Sequence, residues 1–188
     1  MATTHRSTSR DLALIGVFAA ITAVLGFLPA IPTGLSPVPI TAQSLGVMLA
    51  GAIIGGRRGA LSQILFLALV AVGLPLLAGG RGGLGVFAGA SVGFLLGWAV
   101  AAWVIGALTE RRGAPYSVPL GIMFNLIGGV VVLYAFGIVG MMVRTKMGLV
   151  PTMTANAPFL IGDSIKAVLT ALVAAGVHRA YPGLLRQR

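Results

Sequence analysis

Six long apolar runs, separated by short polar or glycine- and proline-rich breaks, organise this chain. They cover about residues 12–28, 41–55, 60–78, 86–108, 119–143 and 158–177. An α-helix needs roughly 20 apolar residues to cross a hydrocarbon core. Several runs approach that length, and the two shortest must be helped by tilt or by re-entrant ends. The pattern predicts an all-α integral membrane protein of six transmembrane helices in a single domain, 1–188. It divides into an N-terminal segment 1–11, a bundle 12–177 and a basic tail 178–188.

Composition agrees with that reading and removes alternatives. The chain is 57% hydrophobic and 9% charged, with a mean hydropathy of +1.02. A soluble domain of this size cannot hide so much apolar surface. Cysteine is absent, which removes disulfides, thiolate catalysis and Cys-ligated metals. Arg6 and Arg10 precede the first run in the manner of a signal peptide, but Gly26-Phe-Leu-Pro-Ala-Ile-Pro is a poor cleavage site, so a retained first helix is expected.

The net charge of +10 would suggest nucleic acid in a soluble protein. Threaded through six spans, it has a simpler cause. With the N-terminus inside, cytoplasmic segments hold Arg6, Arg10, Arg57, Arg58, Arg111, Arg112, Arg179, Arg186 and Arg188, and outer segments hold only Arg81, Arg144 and Lys146. Nine against three is a positive-inside bias that places both termini in the cytoplasm. The basic residues are therefore topology signals and lipid contacts, and no nucleic-acid partner is expected.

Only three acids occur, and Asp163 alone lies inside an apolar run, with Lys166 three residues later. At helical spacing the two share a face. Charges at membrane depth cost roughly 2.5–3.5 kcal/mol each on insertion scales and usually mark a substrate or ion pathway. The plain alternative is a self-neutralising pair near a helix end, with Lys166 snorkelling to the headgroups. The threading brings Thr41 and Gln43, Arg81, Asp163 and Lys166 to the same outer surface. An anion, two cations and an amide around an apolar interior have the makeup of a small-molecule pocket. Singly, Gln43 could cap a helix and Arg81 could bind headgroups.

Other features read first as packing. Gly83-Leu-Gly-Val-Phe-Ala matches a dinucleotide fingerprint in form, but no strand precedes it. Gly85, Gly89, Gly93 and Gly97 recur every four residues, a stripe that lets a neighbouring helix approach closely. Gly16 and Ala20, with Ala19 and Ala23, form small-residue pairs on the first helix, suited to internal packing or to docking another membrane protein. Gln63 and Asn125 are expected to bond neighbouring helices, and Met141, Met142 and Met147 to fill gaps. No Walker lysine loop, no serine or cysteine with a histidine at matching depth, and no inverted repeat is visible. No enzyme, no metal site and no cofactor are expected. A binding protein for a small solute presented from outside remains, with its energy supplied by something else.

Three motifs then carry a resemblance. Val38-Pro-Ile-Thr-Ala-Gln-Ser-Leu-Gly-Val-Met-Leu-Ala-Gly, Gly73-Leu-Pro-Leu-Leu-Ala-Gly-Gly-Arg-Gly-Gly-Leu-Gly and Gly162-Asp-Ser-Ile-Lys-Ala occur in order, and together the chain resembles the BioY family from about residue 12 to 177. Members of that family are the biotin-binding S components of energy-coupling-factor transporters. The resemblance implies the six-helix S-component fold in the bacterial cytoplasmic membrane. It also implies biotin as the transported ligand, and a partner module of one transmembrane coupling protein and two ATPases. Docking is implied on small residues matching Gly16, Ala20, Ala19 and Ala23; self-association stays open. Ala42 stands where leucine is commoner, and Ala90-Ser91 replaces a Pro-Thr pair. Biotin suits the residues: Asp163 can accept from its ureido N–H groups, Lys166 can donate to the ureido oxygen, Gln43 can serve either edge, and Arg81 or Lys166 can meet the tail carboxylate. Two other readings are an S component or facilitator for a different vitamin or anion, and a non-transport membrane protein in which the Asp163–Lys166 pair is structural.

Overall fold

The computed structural model describes residues 4–184, with side chains from residue 8; the side chain of Arg6, and Arg186 and Arg188, lie outside the described residues. Helix α1 (Thr4–Leu25) is followed by α2 (Gln43–Ile54), α3 (Gly56–Ala71), a 3-10 turn (Leu84–Ala88) and α4 (Val92–Arg112). Then come α5 (Val118–Leu126), a π segment (Ile127–Val132), α6 (Leu133–Thr145), α7 (Leu149–Asn156) and α8 (Phe159–Ala180). Among the described residues four helical stretches are long and apolar enough to cross a membrane: Thr8–Leu25, Val92–Arg112, Val118–Thr145 and Phe159–Ala180. α5, the π segment and α6 run on as one span of 28 residues.

Four expectations shift. The segment expected before residue 12 is helical from Thr4, and the last helix runs on to Ala180. The run 60–78 is helical only to Ala71, with its start at Gly56. The run 86–108 opens with a 3-10 turn, and its α-helix starts at Val92. Helix α7 lies in a stretch with no predicted element; Leu149, Val150 and Met153 stay exposed on it while Thr152, Ala155 and Asn156 are buried.

The 12-residue α2 is the hub. All of it except Leu45 and Leu49 is buried, and it packs on α1, α3, α4 and α8. A helix surrounded by protein on every side has no reason to show an amphipathic stripe. It ends at Gly55, whose φ of 84° an L side chain would resist, and where a Cβ would strike the Glu110 carboxylate. Close approaches hold the long helices together: Gly106 of α4 packs on the backbone of Gly55 and Gly56, and Gly93 packs against Phe136 and Gly140 of α6. The predicted glycine stripe is thus half right. Gly93 and Gly97 face α6, whereas Gly85 lies in the 3-10 turn, Gly89 follows it, and neither touches another helix.

Intramembrane amides act as helix ties, as expected. Gln63 Nε2 donates to Thr22 Oγ1 at 3.2 Å, joining α3 to α1, and Asn125 Nδ2 donates to the Ala167 carbonyl at 3.3 Å, joining α5 to α8. Met141 is fully buried and accepts weak hydrogen bonds from Ser36 Oγ and Asn156 Nδ2, at 3.9 and 3.7 Å, so it anchors a loop and α7 to α6.

At one end of the bundle Arg58 pairs with Asp11 at 3.5 Å and donates to the Leu184 carbonyl at 3.1 Å, while His178 Nε2 donates to the Ala52 carbonyl at 2.9 Å. The beginning of α1 and the end of α8 therefore share this end. The opposite end carries two structured loops. Reciprocal 2.9 Å backbone bonds between Ile31 and Ile40 close the first, and bonds between Leu77 and Arg81 close the second across Gly79 and Gly80, both at positive φ.

Candidate functional site

Between those two loops and the bundle lies a pocket. Its apolar wall is built by Val38 and Ile40 of the first loop, Leu77 of the second, Phe94, Leu95 and Trp98 of α4, Leu133 of α6 and Phe159 of α8. Aromatic contacts fix the wall: Phe94 meets Tyr134 edge-on at 6.1 Å and Phe159 at 6.2 Å, and Trp98 leans on Phe66 at 5.6 Å. Gln43, Arg81 and Ser91 line the pocket apart from a connected polar cluster that lies at the start of α8.

Asp163, 5% exposed, is its centre. Its Oδ1 accepts from Ser44 Oγ at 3.0 Å and from Lys166 Nζ at 2.8 Å; its Oδ2 accepts from Tyr134 Oη at 2.8 Å. Lys166 also donates to the Thr41 carbonyl at 2.8 Å and to Ser44 Oγ at 2.9 Å, so all three ammonium protons are engaged. One turn of helix supplies the i,i+3 pair, and the first turn of α2 delivers Ser44 to it, with Thr41 just before that helix. Lys166 does not snorkel away: its side chain is 13% exposed. Desolvating both ions costs several kcal/mol each, recovered only where geometry and extra hydrogen bonds are good. Here every ammonium proton and three carboxylate lone pairs are satisfied. One lone pair, on Oδ2, remains for a ligand donor.

Thr41, Gln43, Arg81, Asp163 and Lys166 all line the pocket. Their parts differ from the expected ones in two respects. Gln43 is a structural clamp: Nε2 donates to the carbonyls of Thr22 (3.1 Å) and Leu76 (3.0 Å), and Oε1 accepts from the Ala78 N–H (2.9 Å). Both amide protons are used, so its service to either edge of a ligand narrows to one acceptor lone pair. Thr41 precedes α2 rather than sitting in its first turn, and its backbone carbonyl is what meets Lys166. Arg81 is exposed at the rim, its Nε donating to the Ala78 carbonyl at 3.2 Å.

The small residues of α1 separate as well. Gly16 has open space beside it and Ala20 is exposed, whereas Ala19 is 3% exposed and packs in the core with Ala23 against it. The side of α1 that carries Ala19 is thus covered by the bundle, and the side that carries Gly16 and Ala20 is open.

Ser44 and Tyr134 are the site residues that sequence reasoning passed over. A signal existed for Tyr134: a phenol deep in an apolar span needs a hydrogen-bond partner, and Asp163 is the only acid inside the apolar runs 12–28, 41–55, 60–78, 86–108, 119–143 and 158–177. Ser44 offered less, since a serine in a helix bonds its own backbone as readily.

Comparison with known proteins bears on the family and the fold. The BioY family matches residues 1–183. The chain is 49% identical to the "Biotin transporter BioY" of Rhodobacter capsulatus, over 95% of this chain and 98% of that one. It is 48% identical to the protein of the same name from Rhizobium etli, over 93% and 96% of the two chains. The crystal structure of the S-component for biotin from an ECF-type ABC transporter superposes with a TM-score of 0.92 at 31% identity, covering 98% of this chain and 100% of that one. On motif order, fold and family match together, the chain belongs to the BioY family.

Proposed function

We propose that this protein binds biotin at the outer face of the bacterial cytoplasmic membrane and carries it inward as the substrate-specific component of an energy-coupling-factor transporter. The observation that carries this reading is a buried carboxylate–ammonium pair with one free acceptor position, opening into a pocket with an apolar wall. The names of the relatives, and of the solved biotin S-component, point to the ligand. In this reading the six runs cross the membrane with α2 and α3 as the short spans, and both termini lie inside.

The ureido head has two N–H donors and one strong acceptor. Asp163 Oδ2 takes one N–H. Lys166 leaves the Thr41 carbonyl to donate to the ureido oxygen, which frees that carbonyl for the second N–H. The thiophane ring and the chain lie against Phe94, Trp98 and Phe159, and the carboxylate meets Arg81 at the rim. The cavity is about 60 Å³, below the roughly 300 Å³ of ordinary ligand pockets. Loading therefore requires the 26–42 and 72–83 loops to part and close again over biotin.

The chain is not an enzyme in this reading. ATP hydrolysis belongs to two partner ATPases, and a transmembrane coupling protein docks on the face of α1 that carries Gly16 and Ala20. Equilibrium binding of labelled biotin to the purified protein, with other vitamins as competitors, tests the substrate; saturable binding displaced only by biotin is expected, and no binding would end the proposal.

A further inference from the structure

The end of the bundle opposite the pocket holds a second cavity, a cleft of about 1380 Å³. One wall is α4 (Trp103, Ala107, Glu110, Arg111), the other α8 (Ala175, His178, Arg179), and Arg57 of α3 with the 113–118 connection complete it. The cleft exists because α4 and α8 both pack on α2 and α5 but not closely on each other, α4 lying mainly against α2, α3 and α6 and α8 against α2 and α5. Its chemistry is layered along the helix axis. Trp103, Ala107 and Ala175 form an apolar inner part, and the arginines stand at the mouth. Trp103 and Arg111 are eight residues apart, about 12 Å of helix.

The charge is unbalanced. Three arginines face one acid, Glu110, leaving an excess of two positive charges. Arg58, by contrast, is neutralised by Asp11, and no ion pair to Arg57, Arg111 or Arg179 occurs among the described residues. Tyr116 adds no charge: burial pushes its phenol up to about 12, and its ring stacks on His178 at 5.0 Å.

We propose that this cleft binds an anionic phospholipid of the cytoplasmic leaflet, its phosphodiester among Arg57, Arg111 and Arg179 and an acyl chain along Trp103, Ala107 and Ala175. A basic mouth over an apolar slot between helices, at the cytoplasmic surface, matches a lipid anion better than a soluble one, which would leave the lower half unfilled. The site rests on the membrane topology proposed above and is independent of biotin.

Trp103 supplies the reporter, being 51% exposed where Trp98 is 5% exposed. The full chain in lipid nanodiscs is titrated with phosphatidylglycerol or phosphatidylcholine brominated on the acyl chain, and tryptophan quenching is read. Half-maximal quenching is expected at an about five- to tenfold lower mole fraction of the glycerol lipid. The preference should vanish in R57Q/R111Q/R179Q, persist in R57K/R111K/R179K and lose its signal in Trp103→Phe. Equal quenching by the two lipids, or a preference that survives the glutamine variant, would overturn the site. Displacement of the brominated lipid by soluble glycerol 3-phosphate would also overturn it, in favour of a free phosphoester. Biotin titration of the same discs separates the two proposals: headgroup preference without biotin binding removes only the substrate, and biotin binding without headgroup preference removes only the lipid.

Discussion

Tyr134 Oη donates to Asp163 Oδ2 at 2.8 Å, tying α6 to the start of α8 across the pocket. The bond has two consequences. It fixes the carboxylate plane so that one lone pair is left toward the cavity, and it makes the polar cluster depend on the position of α6. The ring itself is held separately, edge-on against Phe94, so the hydroxyl can be removed without disturbing the wall.

Tyr134→Phe should therefore weaken biotin by about 2- to 10-fold, the cost of ordering a carboxylate that this bond holds in place before the ligand arrives. Isothermal titration of the purified variant measures it. An unchanged Kd would mean that Asp163 is oriented well enough by Ser44 and Lys166 alone.

Gln43→Leu should act on the fold before it acts on the ligand. Three backbone groups from α1 and the second loop lose their partner at once, and each buried group left unsatisfied costs about 1–3 kcal/mol. A Tm several degrees lower is expected, with partial recovery in saturating biotin because ligand binds the folded state. Loss of affinity at full thermal stability would restore Gln43 as a direct ligand contact.

Arg81 should report on the biotin tail. Biotin is expected to bind more tightly than its neutral amide, and Arg81→Ala should narrow that gap about 5- to 30-fold. Arg81→Lys should recover only part, since an ammonium cannot form the two-pronged contact of a guanidinium. A gap of full size in the alanine variant would hand the carboxylate to Lys166.

Gly16→Leu with Ala20→Leu should stop uptake by cells while leaving binding by the purified protein intact. Both positions lie on the open face of α1, where bulk obstructs a docking helix but meets nothing within the bundle. Equal loss of binding in detergent would make this face part of the fold.

Much of this was legible in the chain because the membrane punishes inconsistency. A lone acid and a lysine three residues on had to face something polar, and Asp163 and Lys166 do meet at 2.8 Å. The same constraint made Asn125 and Gln63 readable as helix ties. Other parts were hidden for physical reasons. The apolar character of α2 is continuous around its circumference, so periodicity could not show that it is the hub. Helix α7 is short, carries Pro151 and follows Lys146 at positive φ, and reads as loop. The clamp made by Gln43 was not legible because a side chain's chemistry does not tell which partner claims it first; here three backbone groups do. The burial of Ala19 was not legible because small residues suit internal and external contacts equally.

The central claim is that the Asp163 carboxylate reads the ureido head, and biotin affinity of Asp163→Asn against wild type, with Tm taken on the same samples, tests it most directly. Asparagine keeps the size and can still accept from Ser44 or Tyr134, and Lys166 keeps the Thr41 carbonyl, so the bundle should survive. The anion for the ureido N–H is lost, and the uncompensated ammonium opposes burial of the ligand. An affinity loss of about 100-fold or more with a modest change in Tm is the expected result. Wild-type affinity together with a large fall in Tm would contradict the account and make the pair a structural brace.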